Sequence, residues 1–262
     1  MKKIGIVGCG NLGASILEGI HEIYPDCQIY ASKRDLTTVP ADLFKKGTFT
    51  DNNALLLQES EIIILALKPY TILNFLKEHS NLIDPSKHTV ISVATGILIS
   101  EISEVLPENT GVYRAMPNTA TSVNESITAI ASSTDSLNRK DNVSQLFESL
   151  GEVVFIEENL MESATILGAC GVAYVLRFMR AMIQGGIEVG FDASTATKIV
   201  GQTMKGASEL IIQNDSHPEA EIDKVTTPRG CTIVGLNEME HAGFSSALIK
   251  GIVTSFERIE NK

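Results

Sequence analysis

The sequence runs from Ile4-Gly5-Ile6-Val7 straight into Gly8-Cys9-Gly10-Asn11-Leu12-Gly13. A short apolar strand, three glycines spaced G-x-G-x-x-G, and then the helical spacing of Leu12, Ile16, Ile20 and Ile23 constrain the fold more than any other feature. Each glycine has its own task in that setting. Gly8 permits a tight turn, Gly10 lets backbone come close to a pyrophosphate, and Gly13 lets helix and strand pack closely. The helix start then offers free N–H groups and the positive end of its dipole to an anion. Three glycines in an ordinary turn are the plainer alternative, and the strand-before, helix-after context weighs against it.

The rest of the first half keeps the same rhythm. Strand runs are expected at Cys27 to Ala31, Ile62 to Leu67, Thr89 to Val93, Gly111 to Ala115, Ser126 to Ala131 and Glu152 to Ile156. A helix is expected over about Leu137 to Leu150, ended at Gly151. Strands alternating with helices of this length predict a parallel sheet covered on both faces. After Glu157 the strand runs disappear. One helical pattern fills Leu160 to Val189, with Leu167, Tyr174, Phe178 and Met182 near one face. A second starts at an Asp192 or Ser194 cap and ends near Asn214. Ser216-His217-Pro218-Glu219 reads as a capping box with proline in the first turn. Two more helices are expected at Cys231 to His241 and Ser245 to Ile259. The expected fold is therefore an α/β, doubly wound, Rossmann-type domain over residues 1–157, followed by an all-helical domain over 158–262.

Charge and cysteines narrow the function classes. With 21 basic and 32 acidic residues the net charge is −11, spread over both halves. Neither nucleic acid nor an anionic membrane surface is the default partner of such a chain. Cys9, Cys27, Cys170 and Cys231 have long, irregular gaps and no C-x-x-C pair, which argues against a zinc site or a disulfide framework and fits a reducing compartment. The longest aliphatic run, Ile62 to Leu67, lies between Glu61 and Lys68, far short of the roughly 20 residues of a membrane span. Met1-Lys2-Lys3 has no long apolar core behind it, so a cytoplasmic location is expected.

The end of the second strand bears on which dinucleotide binds. An NAD site usually places a carboxylate there for the ribose 2′-OH. Here Ala31-Ser32-Lys33-Arg34 precedes Asp35, and the cations Lys33 and Arg34 favour NADP(H), with NADH kept as a second cofactor. The same two residues also suit a solvated helix start. Ala66-Leu67-Lys68-Pro69 and Val93-Ala94-Thr95-Gly96 fall at further strand ends, where open α/β sheets bind ligands. Catalytic side chains are scarce. His21, His79 and His88 are expected in solvated surface positions, His217 in a structural one, and no metal spacing, P-loop or nucleophile elbow occurs. The cofactor must then carry the chemistry. Thr226-Thr227-Pro228-Arg229-Gly230-Cys231-Thr232 offers three hydroxyls and a helix start, suited to a small carboxylate or simply to capping a helix.

Several stretches together resemble the pyrroline-5-carboxylate reductase family over nearly the whole chain. They are Ile4 to Gly13, Ala66 to Pro69, Ile91 to Ile97, Arg114-Ala115-Met116-Pro117-Asn118-Thr119, Ala173-Tyr174-Val175, His217-Pro218, Val225 to Leu236 and Gly243-Phe244. The resemblance implies a Rossmann domain, a helical dimerisation domain interleaved between two subunits, and NADPH-dependent reduction of a cyclic imine to L-proline. It implies cofactor contacts at Gly8, Gly10, Asn11, Leu12, Lys33, Asn53, Ala66, Lys68, Pro69, Val93, Ala94 and Thr95. It places the substrate loop at Val225 to Thr232, with the Thr232 hydroxyl bonding the substrate ring nitrogen. It also implies a homodimer, with higher assembly left open.

The substrate half departs from the family's usual pattern more than the cofactor half does. Gly168-Ala169-Cys170-Gly171-Val172 stands where Ser-Gly-Ser-Gly-Pro is usual, and Ala120 where a proline is. Thr227-Pro228-Arg229-Gly230-Cys231-Thr232 replaces Ser-Pro-Gly-Gly-Thr-Thr. Arg229 is thus a candidate partner for the substrate carboxylate. A reductase of a different imine, and an NADP-binding regulator without turnover, are the alternatives. A 3-hydroxy acid dehydrogenase would need a lysine on the long helix, and Leu160 to Val189 holds only Arg177 and Arg180.

Overall fold

The computed structural model describes residues 3–133 and 139–260. The chain divides into two compact units, one over Met1–Cys170 with Ile259–Lys262 and one over Gly171–Arg258.

The first unit is built on β1 (Ile4–Val7), α1 (Asn11–Ile23), β2 (Ile29–Ser32), β3 (Thr48–Thr50), α2 (Asn53–Glu59), β4 (Ile62–Leu65), α3 (Pro69–His79), β5 (Thr89–Ser92), α4 (Ile99–Glu104), β6 (Gly111–Met116), β7 (Ser126–Ser132), α5 (Lys140–Glu148) and β8 (Gly151–Phe155). A 3-10 turn, α6 (Met161–Ala164) and a π-helical turn over Thr165–Cys170 follow. One eight-stranded sheet has the order β3-β2-β1-β4-β5-β6-β7-β8. Alternate residues of its strands feed two cores. Ile4, Ile6, Ile64 and Tyr113 meet α1 and α5 residues such as Ile16, Leu17, Val143 and Phe147. Val7, Ile63, Leu65 and Val112 meet Leu56, Ile72, Leu76 and Ile102 from α2, α3 and α4. Burial on both faces is why these strands read as continuous apolar runs.

The sheet is doubly wound, as expected, but not wholly parallel. β7 pairs antiparallel with β6 and parallel with β8, so the last two strands run opposite to the rest. The cause is the link: residues 117–125 are too few for a parallel crossover, which needs roughly a dozen or more. The edge strand β3 escapes the sequence pattern because it is three residues long and only partly buried. The expected helix near 137–150 is seen over Lys140–Glu148, and residues 137 and 138 lie outside the described residues.

The second unit contains α7 (Gly171–Glu188), α8 (Ala193–Asn214), α9 (Pro218–Val225), α10 (Cys231–His241) and α11 (Phe244–Glu260). Asp192 caps α8, accepting the Ser194 and Thr195 N–H groups. Tyr174 donates to Ser255 at 2.8 Å and the Phe178 ring lies 5.6 Å from the Phe244 ring, so two residues of the expected face meet α11, whereas Leu167 precedes α7 and is exposed. The cap of α9 is His217, not Ser216: its Nδ1 accepts the Glu219 N–H at 3.2 Å, and Pro218 takes the first helical position. Pro218 has no N–H to be capped, which moves the cap one residue on from the expected box.

One further expectation is corrected. His88 is buried, 2% exposed, and accepts the Asp84 N–H on Nδ1 at 2.8 Å. Among the described residues one helix, Glu158–Glu188, is long and apolar enough to cross a membrane, by length and composition alone.

Candidate active site

The strand order reverses direction between β1 and β4: β1 leads outward to β2 on one side, and β4 continues to β5 on the other. Open α/β sheets bind ligands in the crevice at the carboxyl ends of such a pair. Val7 and Leu65 are the paired last residues there, and the chain leaves them as Gly8 and Ala66.

Two of the three fingerprint glycines, Gly8 and Gly13, do what the spacing suggests. Gly8 has φ +91°, and a Cβ on it would lie 2.7 Å from the Ala66 carbonyl oxygen. A Cβ on Gly13 would lie 2.6 Å from the Gly8 carbonyl oxygen and 3.3 Å from Ile6 Cγ2. A Cβ on Gly10 would meet no protein atom within 4 Å. Gly8 and Gly13 are thus demanded by the protein itself, whereas Gly10 faces open space at the start of α1. No side chain caps α1 and no acidic residue sits in its first turn, so the N–H groups around Asn11 and Leu12 are free to meet an anion. Burial pushes the Cys9 thiol up to about 11, so no thiolate competes with that anion.

Ser32 ties this loop to β2, accepting the Gly8 N–H on its hydroxyl (3.2 Å) and the Cys9 N–H on its carbonyl (2.8 Å). Beyond it Lys33 is half-buried and Arg34 exposed. The Lys33 ammonium donates to the Thr38 carbonyl at 3.1 Å. Asp35, the nearest carboxylate, is turned away: it accepts the hydroxyl and N–H of Thr37, which hold its carboxyl below the usual range. Two cations thus follow β2, and the first carboxylate after them is engaged with Thr37. Asn53 opens α2 beside this loop, and its buried Oδ1 has no hydrogen-bond partner. An orphaned buried acceptor and a glycine that opens on free space are what an NADP-sized ligand would fill.

Two more loops complete the same edge. Lys68 precedes α3, Pro69 takes its first position, and no side chain caps that helix. Val93 and Ala94 follow β5, both buried, with Thr95 half-buried. The first unit thus gathers Gly8, Gly10, Asn11, Leu12, Gly13, Lys33, Arg34, Asn53, Ala66, Lys68, Pro69, Val93, Ala94 and Thr95 along the carboxyl edge of β1 to β5.

The expected substrate residues lie in the second unit, on the link between α9 and α10. Val225 ends α9, and the Thr226 hydroxyl bonds the Ile222 carbonyl. Gly230 N–H donates to the Thr227 carbonyl at 2.9 Å, closing a turn with Pro228 and Arg229 at its centre. Arg229 has φ +62°. Proline followed by a positive φ defines a type II turn, whose third residue is normally glycine. This accounts for the glycine usual at that position and marks Arg229 as strained. Gly230 cannot be larger, since a Cβ would lie 2.7 Å from the Thr227 hydroxyl. Cys231 and Thr232 form the first turn of α10, both exposed, beyond the uncapped Gly230.

Sequence reading assigned no role to a second set of contacts. The Asn118 amide nitrogen donates to the Gly168 carbonyl in the π-helical turn at 3.1 Å, while its Oδ1 accepts the Ala120 N–H. A π-turn frees carbonyls and recurs at functional sites. Residues 50 apart in sequence leave no local signal of such a bond.

The doubly wound sheet, the glycine crevice and the cationic β2 end define a dinucleotide-binding α/β protein with an appended helical unit. Comparison with known families and proteins specifies this further. Residues 158–262 match the family described as pyrroline-5-carboxylate reductase dimerisation, and residues 3–96 match NADP oxidoreductase, coenzyme F420-dependent. Pyrroline-5-carboxylate reductase 2 of Dictyostelium discoideum is 40% identical, the match covering 98% of this chain and 92% of that protein. Reductase 1 of the same organism is 39% identical over 97% of this chain, which spans only 49% of that longer protein. The reductase of Methanosarcina acetivorans is 32% identical, with 98% and 96% covered. In fold, the chain is similar to the NADP-bound pyrroline carboxylate reductase of Plasmodium falciparum (TM-score 0.89, 24% identity, 99% and 97% covered). The chain belongs to the pyrroline-5-carboxylate reductase family.

Proposed function

We propose that the protein reduces L-1-pyrroline-5-carboxylate to L-proline with NADPH. The observation that carries this reading is family membership combined with the crevice at Gly8, Gly10 and Gly13, whose second cationic end at Lys33 and Arg34 suits a 2′-phosphate. When bound, the nicotinamide supplies hydride to the imine carbon. The chain's own residues then bind and orient. The α1 start and Lys68 would hold the pyrophosphate, Asn53 would stand at the adenosine end, and Val93, Ala94 and Thr95 would present backbone and small side chains to the ring. In the loop Val225, Thr226, Thr227, Arg229, Gly230, Cys231 and Thr232, the α10 N–H groups and the Arg229 guanidinium receive the substrate carboxylate. The Thr232 hydroxyl hydrogen-bonds the ring nitrogen, which must carry a proton for its carbon to accept hydride. Positioning is the main device, worth on the order of 7–11 kcal/mol at best.

We place the functional boundary at 157/158 and assign 158–262 to a homodimer, with the protein in the cytoplasm. Support for the dimer is the apolar surface of the second unit. Leu176, Val189, Ile212, Val234 and Ile249 are 57–78% exposed, more than an unpartnered helical unit of this size would leave. A helix of the length and composition of Glu158–Glu188 fits burial between two such units as well as it fits a membrane.

One observation favours a second reading. Arg229 holds a strained backbone where a glycine would be relaxed, and two hydroxyls usual near Gly168 are missing; both suit a different cyclic imine or a regulator that binds NADPH without turnover. The deciding experiment follows NADPH absorbance with L-pyrroline-5-carboxylate at neutral pH, with NADH in parallel. Turnover with NADPH supports the reductase. NADPH binding without turnover on any cyclic imine rejects it in favour of the regulator.

A further inference from the structure

Of the two arginines buried in the first unit, Arg114 and Arg139, Arg114 stands inside an apolar face of the sheet. Arg114 stands on β6, in register with Ser92 of β5 and Ala131 of β7, and its side chain is 1% exposed. Its neighbours on that face of β6 are Val112 and Met116. A buried ion pair seldom stabilises more than packed apolar side chains of similar volume. Stability alone is a poor reason for this guanidinium.

Its contacts suggest another. Nη1 donates to Glu158 Oε1 at 3.1 Å and Nη2 to Glu162 Oε1 at 2.9 Å. The same Glu158 oxygen accepts the Ile99 N–H at 2.7 Å, at the first residue of α4. Ile99 comes four residues after Thr95, so this bond anchors the chain that leaves the Val93–Thr95 loop. Glu162 lies in α6, which feeds the π-turn held by Asn118. One guanidinium therefore fastens the exit of a crevice loop and the helix leading out of the unit to the same strand.

The sheet order tells which end of the cofactor that loop serves. Lys33 and Asn53 follow β2 and β3, the pyrophosphate site follows β1, and β5 lies on the far side of β4. A dinucleotide with its 2′-phosphate at Lys33 reaches β5 with its nicotinamide. We propose that Arg114, acting through Glu158 and Glu162, is a positioning residue that holds the Val93–Thr95 loop for the nicotinamide end of NADPH. This rests on the NADPH reading of the crevice and is independent of which imine is reduced.

The test compares two ligands on the wild type, Arg114→Met, Arg114→Lys and Glu158→Ala, with thermal unfolding as control. NADPH affinity is read from its own fluorescence. Affinity for 2′,5′-ADP, which has the adenosine end and no nicotinamide, is read by calorimetry. Arg114→Met weakens NADPH about tenfold and leaves 2′,5′-ADP within twofold; Arg114→Lys recovers part of the loss, and Glu158→Ala follows in the same direction. Unchanged NADPH affinity in a folded Arg114→Met, or equal weakening of both ligands, overturns the proposal. Should Arg114→Met not fold, Glu158→Ala decides by the same criterion, since that carboxylate is 30% exposed and leaves no sealed cavity. A wild type that binds neither ligand removes the cofactor reading and this proposal with it. A wild type that binds both but reduces no pyrroline-5-carboxylate removes only the assigned reaction.

Discussion

Gly10→Ala separates what the glycine crevice does for the fold from what it does for a ligand. The added methyl meets no protein atom within 4 Å, and the Gly10 backbone, at φ −85° and ψ −158°, is open to alanine. Its effect on folding should therefore stay within about 0.5 kcal/mol, a shift of roughly 1–2 °C in Tm for a chain of this size. A pyrophosphate at the α1 start would be pushed back by the same methyl and lose at least one charge-assisted bond, worth about 1.5–3 kcal/mol. That is a loss of about 10- to 150-fold in NADPH affinity. Gly13→Ala is the control: its Cβ would lie 2.6 Å from the Gly8 carbonyl, so the helix must shift, and stability and affinity should fall together. Fluorescence titration of NADPH beside calorimetric unfolding reads both quantities. Full NADPH affinity in Gly10→Ala would refute the reasoning, because the phosphates would then lie elsewhere.

Four further outcomes are expected. Replacing Lys33 and Arg34 together by alanine should cost NADPH at least ~10-fold in KM, from lost 2′-phosphate pairing, and leave the KM for NADH nearly unchanged; steady-state assays with both cofactors check it. Thr232→Val should lower kcat about 10- to 100-fold, the loss of one hydrogen bond to a charged group, with Tm unmoved because the side chain is exposed. Arg229→Gly should relieve about 1–2 kcal/mol of left-handed strain, less about 0.4–1 kcal/mol of unfolded-chain entropy, so Tm rises by a few degrees while the substrate KM increases; an unchanged KM would count against the carboxylate role. Burial holds the His88 pKa below its ordinary 6.5, and its Nδ1 is occupied as an acceptor. The unfolded chain then binds the proton first, so the stability this residue contributes is complete above about pH 6.5 and is lost as pH falls below it. Unfolding curves at pH 7.5 and 5.5 should differ less in His88→Gln than in the wild type.

Much of the first unit was legible because its signals are local. Fully buried strands such as Ile62–Leu65 read as apolar runs, and Gly8 to Gly13 carries its geometry in its spacing. Asp192 was readable as a cap because its partners are two and three residues on. His88 was misread because its burial comes from segments distant in sequence, and the His217 cap because proline removes an N–H from the pattern. The reversed direction of β7 was hidden in the length of a link rather than in any residue type.

The alternation of strands and helices, the glycine turn, the shortage of a carboxylate at the end of β2 and the change to helices after Glu157 are all written in the order of residues. All of these arise from neighbours within a few residues, where sterics and periodicity act directly. Folding in three dimensions settled that Asp35 turns to Thr37, that Arg229 occupies a turn position made for glycine, and that Arg114 reaches Glu158 and Glu162 across more than forty residues. Those facts depend on which segments folding brings together in a low-dielectric interior, where a charge must find its partner, and no local pattern encodes that pairing.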